Sequence, residues 1–254
     1  MLFSTERLQQ IEHIVKERQH VRVAELSEYL GVSEPTIRRD LQKLEAMGRL
    51  RRAHGGAVAL MQATPEPPII HRLTECAEEK RRIGQVAASL IEDGETVFLG
   101  SGTTTLEVAR NLVERQGLTV ITNALNIATE LAGHENITLI VTGGVVRHSE
   151  FSMIGHIVEQ TLKELRADKV IMSMRAVSVK EGLTNANLLE TMTDRVVMQF
   201  AHEVILVADH TKFGKAATGI VAPITAIHKI VTDDQVSADT VRQIQKLGIE
   251  VIQA

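Results

Sequence analysis

Between residues 5 and 48 the apolar positions recur at helical spacing, and beyond residue 95 they come in short continuous runs. Leu8, Ile11, Ile14 and Val15 predict a helix over 5–18, and Leu26 with Leu30 a second, short one over Val23–Leu30. Ile37, Leu41 and Leu44 mark the buried stripe of a third. It opens at Ser33, whose hydroxyl suits an N-cap. Pro35 falls in the first turn, where no amide is missed, and Gly48 supplies a stop. Gly31-Val32-Ser33 is the tight turn between the second and third helices. After Gly48, Leu50 alternates with basic residues up to Gly55-Gly56, which predicts a small β-hairpin over 49–58.

Thr64-Pro-Glu-Pro-Pro68 cannot continue a helix or a central strand. The expected organisation is a small domain over 1–58, a stiff linker over 59–75 and a second domain over 76–254. That second domain opens with a helix through Lys80, Ile83, Val86, Ala87 and Leu90, ending near Asp93-Gly94. Apolar runs at 96–99, 118–122, 137–142, 169–173, 203–208, 228–231 and 249–252 read as strands. Helical patterns at 104–115, 124–133, 155–166, 188–202 and 238–247 lie between several of them. Continuous apolar strands alternating with helices predict an α/β fold with a mostly parallel sheet covered on both faces. In such sheets ligands bind beyond the carboxyl ends of the strands.

Charge sharpens the division. The whole chain is slightly acidic, at −4, which by itself does not suggest a nucleic-acid binder. Residues 1–60 nevertheless carry +2, and six of their ten basic side chains fall between positions 38 and 52. A local basic patch on an acidic protein fits a DNA-binding unit joined to something with another task. The single Cys76 excludes an intramolecular disulfide and suggests a reducing compartment; nothing marks a histidine partner that would make it a catalytic thiol. The start lacks a signal-peptide pattern and no apolar stretch approaches ~18 residues, so a cytoplasmic protein off the membrane is expected. Aromatic residues at 2% argue against stacking platforms for single strands.

Helix, short helix, glycine turn and basic helix form the pattern of a helix-turn-helix whose last helix enters the major groove. Thr36, Arg38, Arg39, Gln42 and Lys43 lie mostly off the buried stripe and offer hydroxyls to phosphates and forks to guanine edges. The basic hairpin beside them reads as a wing, with Arg51, Arg52 and His54 as its contacts. On its own the third helix could equally be a surface helix with solvated arginines; its neighbours favour DNA.

In the second domain Gly100-Ser-Gly-Thr-Thr-Thr105 follows a strand and opens a helix. Glycines let the backbone approach an anion, and the free amides of a helix start favour negative charge. Ser101, Gly102, Thr103, Thr104 and Thr105 thus predict a phosphate site. It is neither an ATP-type loop, since no Gly-Lys-Ser/Thr follows, nor a full dinucleotide fingerprint, since Leu106 stands at the third glycine. Other strand ends agree: Asn123, then Gly143 and Gly144 with Arg147 close by, then Asp209 and Lys212. Hydroxyl, amide, guanidinium, carboxylate and ammonium groups at four strand ends suit a phosphorylated sugar. A plain tight turn, a capping aspartate and a solvated lysine are the alternatives for single members of the set. No metal, cofactor or catalytic residue is assigned.

Thr36-Ile-Arg-Arg-Asp-Leu-Gln-Lys-Leu-Glu45, then Gly48-Arg-Leu50 and Arg52-Ala-His-Gly-Gly-Ala57, resemble the N-terminal signature of the DeoR family of bacterial transcriptional regulators. Gly-Ser-Gly-Thr-Thr, Thr122-Asn123, Thr142-Gly-Gly144 and Val207-Ala-Asp-His-Thr-Lys-Phe-Gly214 resemble its effector domain, so the likeness spans nearly the whole chain. It implies a winged helix-turn-helix joined to a domain like the ribose-phosphate isomerase and CoA-transferase folds. It also implies a repressor of a carbohydrate catabolic operon, a double-stranded operator as partner, relief by a phosphorylated sugar, and a homodimer or homotetramer. Two departures stand out: Met172-Ser-Met-Arg-Ala-Val177 where the family commonly has a glycine-rich strand end, and Asp194-Arg195, after Glu190, where it often has Lys-Arg. Arg175 adds bulk and charge near the expected mouth; Asp194 removes a positive charge. The alternative function is a sugar-phosphate isomerase with an added DNA-binding module, with Asp209 and Lys212 or Glu190 as acid–base groups. Residues 172–177 offer it no acid where the related isomerases carry theirs.

Overall fold

A computed structural model describes residues 4–18, 20–46, 50–53, 55–59 and 67–254. The chain divides into two compact units, Met1–Met61 and Gln62–Ala254.

The first unit runs α1 (Ser4–Arg18), β1 (His20–Arg22), α2 (Val23–Leu30), α3 (Glu34–Ala46), β2 (Leu50–Ala53) and β3 (Gly56–Ala59). The apolar stripes of the three helices meet in one cluster: Ile11, Ile14 and Val15 from α1, Val23 and Leu26 from α2, and Ile37, Leu41 and Leu44 from α3. Leu50 and Ala57 close it from the hairpin. The expected hairpin carries a third strand, since β1 pairs antiparallel with β3 to give the order β1-β3-β2. A three-residue strand is too short to show alternation, which is why the pattern did not reveal it. The expected stop at Gly48 and the wing contact His54 lie outside the described residues, as do Arg49 and Thr64–Glu66.

The second unit begins with α4 (Ile69–Arg72), a single turn that starts directly after Pro67-Pro68. The linker expected over 59–75 therefore ends sooner. Ile69 is buried and its amide donates to the Ser149 carbonyl at 2.7 Å. Next come α5 (Ala77–Ser89), β4 (Thr96–Leu99), α6 (Thr103–Arg110), β5 (Leu118–Thr122), α7 (Leu125–Leu131) and β6 (Ile137–Val141). A hairpin of β7 (Val145–Arg147) and β8 (Ser152–Ile154) leads to α8 (His156–Lys163) and β9 (Ala167–Met172). Then follow β10 (Ala176–Ser178), β11 (Gly182–Asn185), α9 (Leu188–Met198), β12 (Ala201–Val207), β13 (Gly219–Ala222), β14 (Lys229–Thr232), α10 (Ala238–Gln245) and β15 (Glu250–Gln253).

The seven expected strands form one parallel sheet in the order β15-β14-β12-β9-β4-β5-β6. Its strands read as unbroken apolar runs because both faces are covered. Phe98, Val170, Met172 and Leu206 pack on one side with α8 and α9; Val97, Leu99, Ile171, Ile205 and Val207 pack on the other with α5, α6 and α7. The five helices between these strands all stop short of their periodic patterns, by three residues or more in α6, α8 and α9, which end at Arg110, Lys163 and Met198. The sequence pattern also missed a small antiparallel sheet, β10-β11-β13, beside α9.

The order of the strands positions the site. From β4 the chain winds outward through β5 to β6, then returns to β9 on the other flank of β4 and winds outward through β12, β14 and β15. The winding reverses between β4 and β9, where connections leave in opposite directions and open a crevice at the carboxyl ends. Among the described residues no helix is long and apolar enough to cross a membrane.

Candidate DNA-binding helix and effector cleft

In the first unit, α3 has two chemically distinct sides. Ile37, Leu41 and Leu44 are buried, and Asp40 beside them is buried too, held by Arg7 of α1 at 2.6 Å. Ser33, Arg38, Arg39, Gln42 and Lys43 are exposed, and Thr36 is half-buried. The Ser33 hydroxyl lies 3.0 Å from that of Thr36, while the Ser33 carbonyl takes the amides of Thr36 and Ile37. Arg38 lies within 3.0 Å of Glu34 one turn back. The turn from α2 is fixed by Gly31, at φ 64, and by the Ser27 hydroxyl donating to the Val32 carbonyl at 2.6 Å. Arg51 and Arg52 lie on β2 opposite Val58 and Ala57. The helix thus buries one side and presents hydroxyls, guanidinium groups and an ammonium on the other.

In the second unit a cleft opens at the β4/β9 crossover. Gly100, Ser101 and Gly102 line it after β4, and Met172 to Arg175 after β9. Gly102 sits at φ 145, and a Cβ there would meet the Thr105 hydroxyl at 3.1 Å and Ser173 at 3.3 Å. Only glycine takes that backbone and lets the loop pass so close to its neighbour. The remaining wall is charged: Arg72 from α4, Glu150 from the β7–β8 turn, and Glu190 and Asp194 from α9, with Asn185 from β11.

These charges are interlocked. Arg72 is 5% exposed and pairs with Glu150, which is 3% exposed; Arg147 donates to Glu190 at 2.8 Å and lies 3.9 Å from Glu150. Asn185 donates to Asp194 and accepts from the Arg175 amide at 3.0 Å. The cleft therefore offers two guanidinium groups and three carboxylates around a glycine loop.

Of the sequence-predicted effector residues, Ser101 and Gly102 line this cleft. Thr103, Thr104 and Thr105 are buried in the first turn of α6, and the Thr105 hydroxyl donates to the Gly102 carbonyl at 3.0 Å, which holds the loop. Asn123 is buried and donates to the Met153 carbonyl at 3.0 Å, so it fastens β8. Gly143 and Gly144 form the turn into β7; a Cβ on Gly144 would meet Val158 at 2.7 Å. Arg147 reaches the cleft through Glu190. Asp209 is buried and caps a 3₁₀ turn, His210–Lys212, by accepting the Thr211 amide at 3.0 Å. Lys212 is half-buried on that turn. Sequence reasoning missed Arg72, Glu150 and Asn185 as lining residues. None sits in a glycine-rich or periodic stretch, and only tertiary folding brings them to the loop.

Next to this region Cys76, Asp209 and His210 bring one donor atom each within 4.8 Å of one another. Sulfur, nitrogen and oxygen donors of this kind suit a zinc-like cation. Against that, Asp209 already takes the amide and hydroxyl of Thr211, and the Lys80 ammonium adjoins the thiol. Burial, with Asp209 and other carboxylates adding to it, pushes the thiol above the ordinary cysteine range. The buried Lys80 donates to the carbonyls of Arg72 at 2.7 Å and Glu75 at 2.5 Å; burial, against the pull of Asp209, lowers its pKa from the usual lysine value.

A helix-turn-helix carrying an exposed basic face, joined to a doubly wound α/β unit with a glycine loop at its crossover, defines a DNA-binding regulator with a sensor domain. Residues 7–63 match the family profile of the DeoR-like helix-turn-helix domain, and residues 75–234 that of the DeoR C terminal sensor domain. The HTH-type transcriptional regulator GolR of Listeria innocua is 33% identical over 98% of each chain. The transcriptional repressor AccR of Agrobacterium fabrum is 35% identical over 92% of each. The putative aga operon transcriptional repressor of Escherichia coli O157:H7 is 33% identical over 98% of this chain and 93% of its own. Among solved structures, ribose 5-phosphate isomerase A of Methanocaldococcus jannaschii aligns over 56% of each chain, with 19% identity and a TM-score of 0.42, too distant to inform the chemistry. The chain belongs to the DeoR family of transcriptional regulators.

Proposed function

We propose that this regulator represses a carbohydrate catabolic operon from the cytoplasm and leaves its operator when a phosphorylated sugar enters the β4/β9 cleft. The observation that carries the proposal is the position of Gly100–Gly102. Gly100, Ser101 and Gly102 line the cleft where α6 starts, and the first turn of a helix has amides without helical partners that favour an anion. The carboxylates, Asn185 and Ser173 on the other walls suit the hydroxyls of a sugar. On the DNA side, Ser33, Thr36, Arg38, Arg39 and Lys43 serve as contacts, with Arg51, Arg52 and His54 on the wing. A twofold-symmetric homodimer or homotetramer matches paired half-sites.

Isomerase activity needs a carboxylate at liberty to take a proton. Each cleft carboxylate is engaged: Glu150 by Arg72, Glu190 by Arg147 and Asp194 by Asn185. Calorimetry against paired phosphorylated and free sugars tests the sensor. Binding confined to a phosphorylated member, without turnover, supports it; turnover of any pentose or hexose phosphate supports the enzyme instead.

A further inference from the structure

The linker and the cleft share a residue. Arg72 is the last residue of α4, the turn that follows the prolines leading from the DNA-binding unit. Its Nε donates to the Pro67 carbonyl at 3.0 Å, its Nη2 pairs with Glu150, and its own carbonyl accepts from Lys80 at 2.7 Å. The guanidinium therefore grips the end of the linker with one edge and the β7–β8 turn with the other. The same side chain lines the cleft that Gly100–Gly102 line.

Resting on the phosphate-loop reading above, we infer that Arg72 is an anion ligand of the cleft as well as the anchor of the linker, and that effector phosphate and Glu150 compete for it. A phosphate carries more charge than a carboxylate and suits the planar guanidinium fork at least as well. Buried ion pairs add little net stability, because desolvation offsets most of the attraction, so exchanging one anion for another is cheap. The displaced carboxylate has a second cation at hand, since Arg147 already lies 3.9 Å from Glu150. Once Arg147 turns toward Glu150, it gives up its 2.8 Å contact with Glu190. The alternating chain Arg72, Glu150, Arg147, Glu190 thus shifts by one partner when the anion enters. The contact that seats α4 on Ser149 loses its neighbour, and the linker end loosens. Binding energy gained in the cleft is thereby linked to the freedom of the segment that leads to the DNA-binding unit.

Hydrogen exchange on the full chain tests this without knowledge of the operator, with inorganic phosphate and ribose 5-phosphate as probes and free ribose as control. The measured segment is residues 67–75, which includes the Ile69 amide bonded to Ser149. In the wild type, saturating probe raises exchange there by about 5-fold or more, within the range of known coupling. Glu150→Gln raises it by a similar factor without probe and binds the probe more tightly. Arg72→Lys binds the probe at least about 5-fold more weakly. Because Glu150→Gln leaves a buried cation, the neutral pair Arg72→Gln with Glu150→Gln serves as its folded counterpart. That double variant should unfold near the wild-type temperature yet neither bind nor respond to the probe. If Ser101→Asp abolishes probe binding while Arg72→Lys and the double variant bind like wild type, the inference about Arg72 is overturned and the phosphate loop stands. If the wild type binds neither probe, the phosphate-loop reading falls, and this inference falls with it. Unchanged ligand-free exchange at 67–75 in Glu150→Gln overturns the tether whatever the probes do.

Discussion

Arg7 on α1 and Asp40 on α3 form an ion pair at 2.6 Å that fastens the back of the basic helix to the first helix of the domain. Asp40 is 2% exposed, although it directly follows the two exposed arginines Arg38 and Arg39. Without Arg7 its charge would be stranded in the core. Arg7→Ala should therefore destabilise the first unit by about 3 kcal/mol. Asp40→Asn should cost less, because a long arginine side chain that is 14% exposed can reach water. Tyr29 on α2 is the chain's one tyrosine, there is no tryptophan, and its emission during urea unfolding reports this unit alone. Equal midpoints for Arg7→Ala and wild type would show the pair to be a bystander.

On the opposite side of α3, Arg38 and Arg39 differ in their surroundings. Arg38 is partly neutralised by Glu34 at 3.0 Å. Arg39→Ala should weaken operator binding by about 1–3 kcal/mol if its fork meets a base edge, and by less, with a flatter salt slope, if it meets phosphate. Glu34→Gln should strengthen binding to any duplex by leaving Arg38 free to neutralise one more phosphate, which steepens the salt slope by about 0.9. Affinity unchanged in both Arg38→Ala and Arg39→Ala would remove α3 from the interface.

The glycine loop gives a sharper test in the second unit. Ser101→Asp puts a carboxylate into the cleft and should abolish binding of any phosphorylated ligand without unfolding the domain. Gly102→Ala forces a Cβ onto Thr105 and Ser173 at a φ of 145. It should cost about 1–3 kcal/mol of stability in addition to ligand affinity. Wild-type binding by both variants, measured by calorimetry, would place the ligand elsewhere.

Cys76 should be a sluggish thiol. Burial and the nearby Asp209 hold its proton more tightly than in an ordinary cysteine. The folded pKa being raised, thiolate appears only as pH climbs past the usual value of about 8.5. Alkylation by iodoacetamide should thus be slow at neutral pH, with its half-maximal rate on the alkaline side of that value. A midpoint below it would mean that the Lys80 ammonium, not the carboxylates, governs the thiol.

Much of this was legible in the residues because the pattern repeats over many positions. The three helices of the first unit and the seven strands of the parallel sheet each carry a stripe or run that packing then uses directly. What escaped was short or assembled at a distance. The strands β1, β7, β8, β10, β11 and β13 hold three or four residues each, too few to express a period. The cleft was half visible. Ser101 and Gly102 belong to a loop with a recognisable chemistry, Arg175 and Asp194 stood out as departures from the family, and Glu190 as an acid–base group of the alternative enzyme. Arg72 and Glu150, 78 positions apart, meet only because α4 folds back onto the β7–β8 turn. Conversely, Asn123, Gly144 and Asp209 sit at strand ends as expected, but the contacts seen there fasten the backbone.

Titrating the protein–operator complex decides whether a phosphorylated sugar governs the grip on DNA. The operator would be selected by the protein itself from random duplexes and labelled for fluorescence anisotropy. Paired sugars, each with and without its phosphate, would be added to the complex. At least one phosphorylated sugar should release the DNA, its unphosphorylated partner should not, and Ser101→Asp should hold the operator but ignore the sugar. Release by the free sugar alone, or an operator complex indifferent to every phosphorylated sugar, would contradict it.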